Sequence, residues 1–223
     1  AGKFAYISDT AKALIDAFWP GPLTLVLPRR ESHLSAIAGA KLPTIAIRCP
    51  DAPWREALLE HSFKGPIVMP SANLSGHVSP TSAAHVAADL GDRIDLIIDG
   101  GSCEGGVEST ILKIEDDHTV LLRPGTLPAE EFAPYISDLR LPGKDTQISA
   151  PGMLKSHYAP KARVRLNAAS KHKGETYLAF GPTDVKYDMN LSASGDLDEA
   201  ARHLYSALRA LDTQAVIAVA PIP

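Results

Sequence analysis

Cysteine is scarce in this 223-residue chain: there are two, Cys49 and Cys103, far apart and without C-x-x-C spacing. That argues against a disulfide framework and against a thiolate zinc site. The eight histidines are scattered, and no pair stands at metal-ligand spacing on a helix. No apolar run approaches the ~20 residues of a membrane helix, and no signal-peptide pattern opens the sequence. A basic surplus is missing as well. Lys and Arg number 22 against 26 Asp and Glu, with net charge −4 and pI about 6.1. A global nucleic-acid footprint is therefore not expected, although a local patch stays open. P-loop, G-x-G-x-x-G and G-x-S-x-G motifs are all lacking, which leaves those nucleotide and hydrolase readings without support. The absences describe a cytoplasmic type of protein with no membrane partner and no metal site of its own.

What is present is an ordinary globular composition, 45% hydrophobic and 22% charged, long enough for a good core and for two domains. Apolar residues at Ala11, Leu14, Ile15 and Phe18 predict a helix over 10–19, capped by Ser8 or Asp9 and ended by Pro20-Gly21-Pro22. "LTLVL" (23–27) and "TIAIR" (44–48) read as strands, with loop and a short helix between them. A helix is predicted over 52–62. "PIVM" (66–69) and "IDLIID" (94–99) read as buried strands. A helix over 80–91, capped by Thr81 and closed by Gly91, lies between them. "ESTILKI" and "TVLLR" flank an acidic turn and predict a β-hairpin, followed by a short helix at "PAEEFAPYI". Proline and glycine then break the pattern, so a linker is expected. After it, strands alternate with a long helix that sets Leu197, Ala201, Leu204, Leu208 and Leu211 on one face. That order predicts a small parallel α/β unit.

Five stretches could carry chemistry. "PSANLSG" (70–76) leaves an apolar run on small residues, which lets backbone N–H groups and hydroxyls approach an anion; its ordinary reading is a plain turn. Arg48 in "TIAIRCP" and Arg123 in "LLRPG" both end apolar strands. A guanidinium there suits carboxylate or phosphate, and the ordinary reading is a surface arginine. "GGVESTI" starts a strand with Glu108, Ser109 and Thr110, or is simply an edge hairpin. "SAPGMLKSHYAP" (149–160) sets Lys155, His157 and Tyr158 inside the linker. Such a segment can fold over a site as a lid, or pack as a spacer.

In this order, "WPGPLTLVL", "TIAIRCP", "PSANLSG…SPT", "IIDGG…GVESTI", "LLRPG" and "APGMLKSHYAP" resemble the YrdC-like family of threonylcarbamoyl-AMP synthases, in its two-domain form. Each motif alone is weak; six in order are specific, and they cover nearly the whole chain. The resemblance implies an α/β fold: a YrdC-like twisted mixed sheet with helices over 1–138, a linker or lid over 139–162, and a Rossmann-like parallel domain over 163–223. It implies an enzyme, a nucleotidyltransferase. Such enzymes join L-threonine, bicarbonate and ATP, with Mg²⁺, into threonylcarbamoyl-AMP and pyrophosphate. Downstream tRNA-modifying transferase proteins then use that product to modify adenosine 37 of tRNA. Carried over by resemblance, Thr44, Ser71, Asn73, Ser79, Arg123, His157 and Tyr158 would bind ATP. Arg48, Ser109 and the backbone at Met69 would bind L-threonine. No residue is singled out as an acid or base, because the reaction needs orientation and charge stabilisation most. The family's N-terminal P-T-E-T-x-Y-G-L run and the K-x-R half of its signature are not found. The resemblance would place them before Ala1, and the second domain would stop ahead of the family's last strand and helix, so a fragment is expected. An alternative implied by the same resemblance is a double-stranded RNA or ribosome-binding module.

Overall fold

The first helix shows how closely local sequence controls this chain. Helix α1 runs Asp9–Phe18, and the Ser8 side chain accepts a hydrogen bond from the Ala11 N–H at 3.2 Å. Leu14 and Ala11 are buried on its inner face. It stops at Trp19, whose peptide bond to Pro20 is cis. A Cβ on Gly21 would lie 2.4 Å from the Phe18 carbonyl oxygen, so only glycine fits that exit. The structure, a computed structural model, describes residues 1–32, 34–63, 65–143 and 159–223.

Tertiary contacts divide the chain into two units, Ala1–Met69 with Glu108–Lys155, and Pro70–Val107 with Ser156–Pro223. In this division residues 70–107 group with the second unit.

The first unit holds a five-stranded sheet in the order β2-β1-β3-β4-β5. Its strands are β1 (Leu23–Pro28), β2 (Thr44–Ile47), β3 (Thr110–Ile114), β4 (Thr119–Arg123) and β5 (Leu139–Arg140). The short β5 pairs parallel with β4 and lies inside the stretch expected to be linker. β1 is antiparallel to β2 and parallel to β3, and β3 is antiparallel to β4. Alternation sorts the side chains. Leu23, Leu25, Leu27, Ile45, Leu112, Ile114 and Leu121 face one way and bury against Leu14 of α1 and Phe132. Val26, Ile111, Val120 and Leu122 form a smaller cluster apart from that core. Truncating a residue such as Leu25, fully buried, costs about 2–5 kcal/mol. Helix α2 (Pro53–Glu60) follows β2, with proline at its first turn.

Two expected strands are not there. Residues 66–69 and 94–99 are irregular, and among the described residues neither run pairs with a strand. Val68, Met69, Leu96 and Ile98 are exposed. A strand exists by its ladder, and an apolar run without a partner does not make one.

The second unit carries helix α3 (Ala83–Leu90) and a four-stranded parallel sheet in the order β6-β9-β7-β8. Its strands are β6 (Arg163–Arg165), β7 (Glu175–Ala179), β8 (Met189–Asn190) and β9 (Val216–Val219). Helix α4 (Leu197–Leu211) is the crossover, which is the parallel α/β arrangement expected. Its buried residues are Ala200, Ala207, Leu208 and Leu211, while Leu197 is exposed in the first turn. The N-cap of α3 is Ser82, whose hydroxyl accepts from the His85 N–H, and not the adjacent Thr81. Arg209 of α4 holds this part together. It donates to the Val78 and His85 carbonyls and pairs with Asp89 at 2.8 Å. Burial and the nearby guanidinium lower the His85 pKa.

Candidate active site

Topology gathers the polar residues of the first sheet at one end. β1 and β3 start there, because they are parallel. β2 and β4 finish there, because each is antiparallel to its neighbour. Arg48 follows the last residue of β2, and Arg123 is the last of β4. Thr24 is the second residue of β1, and Ser109 just precedes β3. Across four adjacent strands the row therefore reads Arg48, Thr24, Ser109, Arg123. A register shift between Ile111 and Leu112 sets Arg123 opposite Ile111, on the side of the sheet away from the α1 core. Thr24 is two residues from Val26 and Ser109 two from Ile111, so both share that side.

The row is hydrogen-bonded. Arg123 donates from Nε and Nη2 to the Ser109 carbonyl at 3.1 and 2.7 Å, and from Nη2 to the Ser109 hydroxyl at 3.1 Å. The Ser109 and Thr24 hydroxyls lie 2.8 Å apart. Arg48 donates from Nε to the Gly21 carbonyl at 3.0 Å. The backbone beneath Ser109 is clamped on both sides. The Thr110 hydroxyl donates to the Leu127 carbonyl and accepts from the Leu127 N–H. The Thr126 N–H and hydroxyl both donate to the Glu108 carbonyl. A Cβ on Gly125 would lie 2.4 Å from the Glu108 oxygen and 2.5 Å from the Thr110 nitrogen. The glycine of "LRPG" is thus what lets the two segments touch.

Of the residues expected from the sequence, Arg48, Ser109 and Arg123 come together here. Thr44 does not: it starts β2, opposite Pro28, ~13 Å along the strand from Arg48. Met69 is exposed at the end of an irregular run. Ser71, Asn73 and Ser79 belong to the second unit. There Ser71 is exposed and Ser79 is buried. The Asn73 amide donates to the Leu74 and His77 carbonyls at 2.8 and 3.1 Å, which closes the loop on itself. His157 and Tyr158 lie outside the described residues. Thr24 is the residue that sequence reasoning missed. It is the one polar side chain in "LTLVL", and a lone hydroxyl in a buried strand was the signal available. Two guanidinia flanking two hydroxyls suit a ligand with carboxylate or phosphate oxygens. The guanidinia do not ligate a divalent cation, and among the described residues no cluster of three His, Cys, Asp or Glu could hold a metal.

The fold and this row define an α/β protein with guanidinium and hydroxyl donors gathered at one end of a sheet. Comparison with known proteins carries this further. A family model described as telomere recombination matches residues 1–125, and one for the C-terminal domain of threonylcarbamoyl-AMP synthase matches residues 118–223. The chain is 40% identical over 94% of its length to a threonylcarbamoyl-AMP synthase of Pyrococcus abyssi, and 40% identical over 93% to that of Bacillus subtilis. It spans 67% and 66% of those proteins. A crystal structure of P. abyssi Sua5 complexed with L-threonine superposes with a TM-score of 0.86 at 36% identity, covering 99% of this chain and 71% of that one. E. coli YciO gives a TM-score of 0.52 at 26% identity, over 60% of this chain and 64% of that one. The chain belongs to the two-domain threonylcarbamoyl-AMP synthase family.

Proposed function

We propose that this protein is an L-threonylcarbamoyl-AMP synthase acting in tRNA modification. The observation that carries this reading is the row of Arg48, Thr24, Ser109 and Arg123 at one end of the first sheet. The relatives' names and a related structure holding L-threonine support the choice of substrate. In the reaction the threonine amine takes up bicarbonate with loss of water, giving a carbamate. A carbamate oxygen then attacks the α-phosphorus of ATP, and the bond to the β-phosphate oxygen breaks to release pyrophosphate. Every species on this path carries carboxylate or phosphate charge. Fixed guanidinium and hydroxyl donors stabilise it without a strong acid or base. Arg48 would hold the threonine carboxylate and Ser109 an adjoining oxygen, with Arg123 toward the nucleotide. Nucleotide roles for Thr44, Ser71, Asn73, Ser79, His157 and Tyr158, and a backbone contact at Met69, belong to the same proposal. Mg²⁺ would arrive with ATP as part of the substrate. A cytoplasmic setting and hand-over to a tRNA-modifying transferase complete it.

A thermal-shift titration with Mg-ATP, L-threonine and both tests this, with D-threonine and Arg48→Ala as controls. The expected result is a rise selective for L-threonine, larger with Mg-ATP and lost in Arg48→Ala. No response to any of them, or equal responses to both enantiomers, would overturn it.

A further inference from the structure

We infer that Thr24 and Ser109 act as one hydrogen-bond donor pair, anchored on Arg123, that presents a single hydroxyl hydrogen to the substrate; the inference rests on the function proposed above. Counting hydrogens gives the reason. A guanidinium only donates, so the Ser109 oxygen accepts from Arg123 Nη2. The two hydroxyls are 2.8 Å apart, and either can donate to the other. One of their two hydrogens is used between them. Among the described residues neither hydroxyl has a further partner. One hydrogen is therefore left over, whichever way the pair is oriented.

The two hydroxyl oxygens are held in place. The Ser109 backbone is clamped through Thr110, Thr126 and Leu127, and Thr24 is held in register opposite Ile111 of β3. Accepting from a cation polarises the Ser109 hydroxyl, which strengthens the donor at the end of the chain. Ser109 is buried while Thr24 is partly exposed, so an oxygen arriving between the arginines meets the pair at Thr24's side. A pair with one outward hydrogen favours a carboxylate, carbonyl or phosphoryl oxygen and disfavours an ammonium group. It thus sets the ligand's direction between the arginines, which point charges alone would not do.

The test is a set of four variants: Thr24→Val, Thr24→Ser, Ser109→Ala and Thr24→Val with Ser109→Ala. L-threonine affinity in the presence of Mg-ATP is read by calorimetry, alongside the thermal midpoint without ligand. Valine keeps the shape and suits a strand, so the unliganded midpoint should stay near wild type. Affinity should fall about tenfold in Thr24→Val and stay within about twofold in Thr24→Ser. In the Ser109→Ala background the valine change should add less than about twofold, as members of one pair require. If Thr24→Val lowers the unliganded midpoint, the Thr24→Ser protein and the double-variant comparison still decide the matter. Wild-type affinity in Thr24→Val, or a full tenfold loss added on top of Ser109→Ala, overturns the pair. A wild-type protein that does not bind L-threonine at all overturns the function and the pair together. Binding by wild type with no change in Thr24→Val removes the pair alone.

Discussion

Both sheets have arginines at strand ends, and two of them, Arg165 and Arg123, are used differently. Arg165, at the end of β6, reaches the Glu175 carboxylate with Nε at 3.1 Å and again with Nη2. The His172 N–H donates to the same carboxylate at 2.9 Å. Charge meets charge there, and the pair serves the fold. Arg123, at the end of β4, gives the same two nitrogens to the carbonyl and hydroxyl of Ser109. Those oxygens carry no net charge. They hold the guanidinium in place, and neither of these two oxygens brings a negative charge to it. The same residue type at the same kind of position is thus a brace in one sheet and a candidate anion receptor in the other. The acceptor decides which.

The contrast extends to the glycines beside these ends. Gly125 lies against backbone, whereas a Cβ on Gly181, at φ +71°, would meet nothing within 4 Å. Gly125→Ala should therefore do the greatest damage of any single substitution at either sheet end. Backbone cannot yield as a side chain can, so a loss of about 3 kcal/mol or more is expected in urea unfolding. The L-threonine response should be lost with it. Gly181→Ala meets only the conformational penalty, about 1–2 kcal/mol. Equal losses in the two variants would break the comparison.

A smaller effect separates the arginines themselves. Arg123→Lys keeps the charge and loses the fork, so L-threonine and ATP affinity should fall by about 2 kcal/mol, roughly thirtyfold. The unliganded midpoint should move little. Arg165→Lys should do the reverse: the ligand response stays, and the midpoint drops slightly. Titrations of both variants side by side check this, and an unchanged response in Arg123→Lys would return Arg123 to a structural role.

Much of this was legible in the sequence. β1, β2 and the β3–β4 hairpin follow from β-rich runs, and α4 follows from its spacing. Arg48 and Arg123 could be picked out because a charge closing an apolar run is unusual. The sequence did not disclose which runs find partners. Residues 66–69 and 94–99 hold apolar runs as β1 does, yet they pair with no strand among the described residues. Apolar patterning reports affinity for a core, while a strand also needs a neighbour's N–H and C=O groups. Ser82 rather than Thr81 caps α3 for a similar reason. Both can cap, and the choice depends on which oxygen reaches the His85 N–H. Thr24 was hidden by its company, since its role comes from Ser109, 85 positions away in sequence.

The smallest expected effect lies in acid, and it tests the brace directly. The Arg165 guanidinium, followed by the His172 N–H, holds the Glu175 carboxyl down at about 2, against an ordinary 4.5. A group whose pKa is depressed by folding binds fewer protons folded than unfolded. Its contribution is therefore complete above pH 4.5 and is lost as pH falls from there through about 2. Asp188, beside Lys171, is also held low and adds acid sensitivity of its own, so the slope of the wild-type curve alone does not isolate Glu175. The difference between wild type and Glu175→Gln does. Thermal midpoints of the two proteins should differ at pH 6, draw together below pH 4.5 and meet near pH 2. A gap that stays constant across that range would mean that the carboxylate's charge contributes nothing to the brace. The contrast between an arginine answered by a carboxylate and one answered by a hydroxyl would then lose its electrostatic basis.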